Sequence, residues 1–431
     1  MRNSLSHEHV DHAVSPGAIS HRPAHRLAGL DALRGIAMLL GVVLHACCAY
    51  SATTLDGLIW PVREAVTSPT CEALFWWIHT FRLPLFFFLA GYFSENLFQS
   101  RGLEGFWKQR SVRILIPYYV GLVTILPVNL IVWTIGWLQS GLCTWEQAVT
   151  PFVPFPPELQ AHYFGPAHLW FLMDLTFITL AYGLLRWDWN SNSHKPPAWK
   201  LPLGPDCLRP LWLIVPSAIL LWDDISSYSG HHNSFVPHTV RMAYFGFYFI
   251  VGVQINRRKD LLGRLAGFPW SHLIASLPSV VVVLWLAPAQ ARHELSEGGV
   301  LTLAIAVAWT AWFTMFSALG GALKLQTQHP AIRYLADAAY WIYLCHLPLV
   351  GLGHVVLAPV ALPAVVKMLV VSAATLLLGL ASYHTLIRYT VVGRVLHGER
   401  KRGKEHGVPI ERQPVAVPAP HLGTRVPSPK G

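Results

Sequence analysis

The stretch Leu30-Asp31-Ala32-Leu33-Arg34-Gly35-Ile36-Ala37-Met38-Leu39-Leu40-Gly41-Val42-Val43-Leu44-His45 is apolar almost throughout, yet it carries an arginine and a histidine. Continued to Tyr50, it supplies the roughly 20 mainly apolar residues needed to cross a bilayer's hydrocarbon, so it reads as a transmembrane helix. Comparable runs recur near 73–98, 114–138, 167–187, 208–222, 238–255, 269–288, 299–320, 332–353 and 363–388. The run at 208–222 is the weakest, being short and broken by Pro210 and Pro216. The expected fold is all-α: a polytopic membrane protein of about ten transmembrane helices.

Composition points the same way. Of 431 residues, 53% are hydrophobic and 13% charged, against the roughly 25% charged content of soluble domains. Eighteen Trp, twenty Phe and fourteen Tyr suit both a dry interior and the headgroup level of a bilayer. The formal charge of +10 would raise the question of nucleic acid in a soluble chain. With ten spans and a cytoplasmic N-terminus, however, the outer loops hold only Arg63, Arg241 and Arg292 of the basic residues, and the spans hold Arg34, Arg82 and Lys367. The remaining Lys and Arg fall on the inner side, as the positive-inside rule requires. The charge reports topology, with both termini cytoplasmic, and no nucleic-acid partner is expected.

The six Cys show no CxxC or Cys/His spacing, so neither a zinc site nor a disulfide framework is expected, and no resident metal. Met1–Arg26 lacks the apolar core of a signal peptide. The expected organisation is a disordered cytoplasmic tail over 1–27, a transmembrane domain over 28–392 and a basic disordered tail over 393–431. The outer loops are acidic, with Pro-Phe and His-rich stretches at 151–166 and 231–238 suited to a vestibule.

Ionisable residues inside spans are costly and mark function by default. Here they are Arg34, His45, His79, Arg82, Asp174, Asp337, His346 and His384. Arg34 and His45 lie about three turns apart on one face, separated by about 16 Å along the helix. One helix can thus hold an anionic group arriving from the cytoplasm and place an imidazole, the side chain that titrates nearest neutrality, within the membrane. A snorkelling arginine and a histidine bonded to a neighbouring helix fit the same pattern. In Ile78-His79-Thr80-Phe81-Arg82, His79 and Arg82 share a face, and Arg82 needs an anionic partner: Asp174, an outer-loop acid, or a ligand carboxylate. Arg110 and Arg113, in Phe106-Trp107-Lys108-Gln109-Arg110-Ser111-Val112-Arg113-Ile114, form a pair able to grip phosphates or simply to anchor the inner surface. His168-Leu169-Trp170-Phe171-Leu172 places His168 near the outer mouth, ahead of Asp174, and Tyr343-Leu344-Cys345-His346 adds His346.

The ordered set resembles the membrane acyltransferase-3 superfamily, whose signature is a basic residue followed eleven positions later by His on the first span, as Arg34 and His45 are here. Phe86-Phe87-Phe88-Leu89-Ala90-Gly91-Tyr92-Phe93, Arg110-x-x-Arg113-Ile114 up to Pro117, His168-Leu169-Trp170 and Tyr343-Leu344-Cys345-His346 follow in the expected order over about residues 28–390. Within the superfamily, His79 to Arg82 leading into Gly91-Tyr92-Phe93-Ser94, with Phe106-Trp107-Lys108, resembles most the glucans biosynthesis protein C branch, which succinylates periplasmic glucans. The resemblance implies an acyltransferase of groups other than amino-acyl groups in the bacterial inner membrane, with no permanently bound cofactor. It implies acyl-CoA (succinyl-CoA or acetyl-CoA) as donor, its phosphates near Arg34, Arg110 and Arg113, and an extracytoplasmic glycan as acceptor. It also implies His45 as general base or transient acyl carrier, with His79, Arg82, His168, Asp174 and His346 around the substrates. Another envelope glycan, a lipid-linked sugar or a small molecule are alternative acceptors. A transporter or flippase using the same residues as a relay is the non-enzymatic alternative.

Overall fold

The computed structural model describes residues 23–397, apart from 54, 56, 151–152, 164, 192–209, 231–232 and 326–328. Every run expected to span is helical where it is described, residues 208–209 of the fifth lying outside the described residues: α1 (Pro23–Cys47), α2 (Pro69–Arg110), α3 (Ile116–Gln139), α4 (Trp170–Ser191), α5 (Leu211–Asp223), α6 (Thr239–Arg257), α7 (Pro269–Ala291), α8 (Glu297–Lys324), α9 (Pro330–Leu357) and α10 (Ala364–Ser382). No strand occurs among the described residues. The protein is an all-α polytopic membrane protein. The expected tails lie mostly outside the described residues, at 1–22 and 398–431, while Val391–His397 is helical.

The expected count of spans needs qualification. Among the described residues, seven helical segments are long and apolar enough to cross a membrane. One of them, Pro69–Gln139, runs 71 residues, far more than one crossing uses. It folds back at Gly102, whose backbone (φ 65°, ψ −170°) is one that a residue with a Cβ adopts only under strain. The return is proved by contacts. The guanidinium of Arg110 donates to Ser94 Oγ at 2.8 Å, and the Phe98 and Phe106 rings lie 6.3 Å apart, whereas a straight helix would separate Ser94 from Arg110 by about 24 Å. Helix α5 has 13 residues, about 20 Å, too short to cross unaided.

The outward faces invert the soluble pattern: Ile131, Trp270, Trp285, Leu369 and Leu377 are exposed, while polar residues sit within the bundle. Helix α1 packs on α9 and α2; α2 packs on α6 and α8; α3 packs on α9. Helices α2 and α6 approach backbone to backbone, with Gly91 against the Phe249 carbonyl and Gly252 against that of Phe88, the small-residue contact that lets membrane helices gain dispersion energy. Next to this seam, Phe87 stacks on Phe245 at 4.7 Å and Tyr248 on Trp312 at 4.3 Å. At the end of the bundle carrying Arg34, Glu95 is 2% exposed and ties three helices together. It accepts from Arg257 Nη2 of α6 at 3.2 Å and from Tyr182 of α4, with Arg186 at 3.9 Å.

Candidate active site

Two prolines prepare the site. A proline within a helix donates no hydrogen bond to the carbonyl four residues earlier. On α9, Pro348 frees the Leu344 carbonyl, and His168 Nε2 donates to it at 2.9 Å. At the start of α3, Pro117 frees the Arg113 carbonyl, and the Tyr340 hydroxyl donates to it at 2.8 Å. Tyr343 donates in turn to the carbonyl of His168 at 2.9 Å, so the segment entering α4 is laced to α9 from both sides.

The hydrogen bonds fix the imidazoles by elimination. His346 Nδ1 faces the Tyr343 carbonyl at 2.6 Å, and a carbonyl only accepts, so this nitrogen carries the proton. His346 Nε2 is then the acceptor from His45 Nδ1, 2.8 Å away. His45 is left with Nε2 as its lone-pair nitrogen, braced by a second imidazole whose own orientation the α9 backbone sets. His168 stands edge-on to His346 at 5.2 Å, and its Nδ1 is buried with no hydrogen-bond partner among the described residues. His79 Nδ1 lies 2.9 Å from the Phe75 carbonyl.

These groups surround one cavity of about 100 Å³, room for several waters. His45, His79, Arg82, His168 and His346 all line it, so helices α1, α2 and α9 and the turn before α4 bring together residues separated by up to 301 positions. Arg82 is the unusual member. Its Nε is buried without a hydrogen-bond partner, and it enters no ion pair among the described residues. The guanidinium lies against Gly41, one turn before His45 on α1, where a Cβ would collide with Nη1.

The arginines expected to hold phosphates form a separate group at the other end of α1. Arg34 and Arg113 both lie within electrostatic reach of Arg110. Arg34 is half-exposed, 3.3 Å from Asp31, and Arg113 sits in a π-helical turn, Ser111–Leu115. The two sites are connected, because Met38, one turn beyond Arg34, lines the histidine cavity.

Asp174 departs from expectation. It is wholly buried and answers Arg241 in a bidentate pair, Nε to Oδ2 at 2.8 Å and Nη2 to Oδ1 at 3.2 Å, and it does not line the cavity. It is therefore neither the partner of Arg82 nor placed to meet a substrate. Arg241 correspondingly lies buried in α6 and not in an outer loop. Lys367 is likewise answered, by Glu64 at 2.6 Å.

The sequence reading missed Trp60, stacked on His45 at 17° and 6.1 Å, and Asn129, which lines the cavity with a buried Oδ1 that has no hydrogen-bond partner among the described residues. The only available signal for Asn129 was a carboxamide within an otherwise apolar span; for Trp60, which lies in the connection between α1 and α2, there was none.

Residues 27–384 match the family model described as an acyltransferase domain. The chain is 26% identical over 358 residues to the glucans biosynthesis protein C of Salmonella paratyphi B, covering 77% of this chain and 84% of that protein. The protein of the same name from Salmonella schwarzengrund is 25% identical over the same length. No solved structure matches the chain.

Proposed function

Because the chain belongs to the acyltransferase family, we propose that this membrane enzyme moves a succinyl group from CoA, on the cytoplasmic side, to a hydroxyl of an extracytoplasmic glucan. The host membrane is the bacterial inner membrane, with both chain termini cytoplasmic. One observation carries the reading: a cavity that combines an oriented imidazole base with an unpaired guanidinium, joined along α1 to a cluster of arginines.

In the reaction, the acceptor O–H gives its proton to His45 Nε2 while the oxygen attacks the thioester carbonyl. His346 holds the tautomer and shares the charge on the protonated His45. The tetrahedral intermediate collapses with cleavage of the C–S bond, and the CoA thiolate takes the proton back from His45. Arg34, Arg110 and Arg113 hold the CoA phosphates as charge-assisted partners. Arg82 receives the distal carboxylate of the succinyl group, which supplies the anion that its surroundings lack. His79 and His168 face the substrates from the cavity wall.

The test is transfer of labelled succinyl from CoA to extracted glucan in membrane vesicles. His45→Ala abolishes transfer and Arg34→Ala raises the KM for the donor; undiminished transfer by a folded His45→Ala protein sinks the base. Mass spectrometry of periplasmic glucans with and without the gene decides the acceptor, since unchanged ester content counts against glucan. A transporter using the same groups as a relay would release no CoA.

A further inference from the structure

His354 lies outside the cavity wall and has no part in the steps above. It is 2% exposed and sits about two turns beyond His346 on α9. Its Nδ1 accepts the indole N–H of Trp60 at 2.8 Å, and its Nε2 lies 3.2 Å from the Ala46 carbonyl. An indole only donates and a carbonyl only accepts, so the ring is neutral, carries its proton on Nε2 and donates to Ala46.

Both partners bear directly on His45. The Trp60 ring lies nearly parallel to the His45 imidazole and is held from another side by Trp133, edge-on at 5.1 Å. Ala46 follows His45 in the chain, and its carbonyl belongs to the last turn of α1, where the chain tightens into the short helix Cys48–Tyr50. Carbonyls of a last turn lack partners within their own helix and take them from elsewhere.

We propose that His354 is a positioning residue for His45. Through Trp60 it sets the plane against which the imidazole rests; through Ala46 it holds the backbone from which the imidazole projects. Together with His346, which fixes the tautomer, it aims Nε2 at the acceptor hydroxyl. The inference rests on the reading of His45 as the base.

The experiment compares wild type, His45→Ala, His354→Ala, His354→Gln, Trp60→Phe and the double variant Trp60→Phe/His354→Ala in vesicles given labelled succinyl-CoA and extracted glucan. A misplacement of the base by about 1 Å costs on the order of 10²-fold. His354→Ala is therefore expected to lower kcat by about 10- to 100-fold, with both KM values within about threefold of wild type. A glutamine offers one acceptor and one donor, so His354→Gln regains most of the rate. Trp60→Phe keeps the ring and loses the N–H, and the double variant is no slower than His354→Ala because both changes break one chain of contacts. Multiplying losses in the double variant overturn the proposal, as does a folded His354→Gln as slow as His354→Ala, or a loss confined to KM. Where His354→Ala fails to reach the membrane, the glutamine and Trp60→Phe variants still decide. A dead His45→Ala beside an unimpaired His354→Ala overturns the positioning role alone; an active His45→Ala overturns the base and this role with it.

Discussion

Arg82 and Arg241 both project from membrane helices into the interior of the bundle, and their surroundings differ completely. Arg241 is paired within the chain: Asp174 takes two of its N–H groups, the Gly230 carbonyl lies at 3.3 Å from a third, and the Trp170 ring lies 4.8 Å beneath the guanidinium. Arg82 has aromatic and imidazole neighbours, an orphaned Nε and no carboxylate among the described residues. A charge inside a membrane is expensive in either place. In the first the chain offsets that cost itself. In the second no described residue offsets it, and on the function proposed above the offset comes from the succinyl carboxylate that enters the cavity.

The sharpest way to break the comparison is Asp174→Ala, which strands Arg241 as a buried, unpaired cation. The expected loss is about 3–5 kcal/mol of stability, read by unfolding in detergent, and the apolar pair Asp174→Leu with Arg241→Met restores most of it. Arg82→Met has no ion pair to break, so the unfolding midpoint stays near wild type. Succinyl transfer instead falls by about 10²- to 10³-fold, the scale of removing one charge-stabilising donor from an active site. Acetyl transfer by the same variant separates two roles for Arg82: it stays near wild type when the guanidinium holds the distal carboxylate, and falls equally when the guanidinium holds the tetrahedral oxyanion. Gly41→Ala sharpens the point without touching Arg82 itself. Its methyl occupies the space of Nη1, and a displaced guanidinium is expected to slow transfer by about tenfold in a kinetic comparison with wild type.

The smallest effect belongs to a loop acid. Partial burial raises the pKa of Asp224, but the Ser226 and Ser227 hydroxyls, the Ser226 N–H and the nearby His238 outweigh that and hold it below the usual carboxylate range. Its contribution is therefore complete above about pH 4, the unfolded carboxylate value, and is lost as pH falls through the lower folded value. Faster hydrogen exchange at 225–229 on acidification in the native protein, absent in Asp224→Asn, is the expected signature.

Much of this was legible in advance because the solvent is a bilayer. A stretch such as 30–50 must be helical there, since no water satisfies its backbone, and any charge within it must have a reason. That logic singled out His45, His79, Arg82 and His346, which line one cavity, without knowledge of any contact. It failed at Asp174 because a lone carboxylate in a span looks the same whether its partner is a substrate or an arginine on another helix. It also missed His354, which reads as one more polar residue near the end of a span until Trp60 and Ala46 are seen to meet it.

The sequence by itself determined the membrane environment, the helical elements and the short set of residues able to carry charge or protons, because hydropathy and the cost of burying a charge are local properties. Only the tertiary structure decided which of those charges are spent on each other. It turned Asp174 toward Arg241 and Lys367 toward Glu64, used Pro348 to expose the carbonyl that orients His168, and brought His346 within 2.8 Å of His45. The physical reason is that pairing depends on which helices pack together, and that is settled by contacts between residues far apart in the chain.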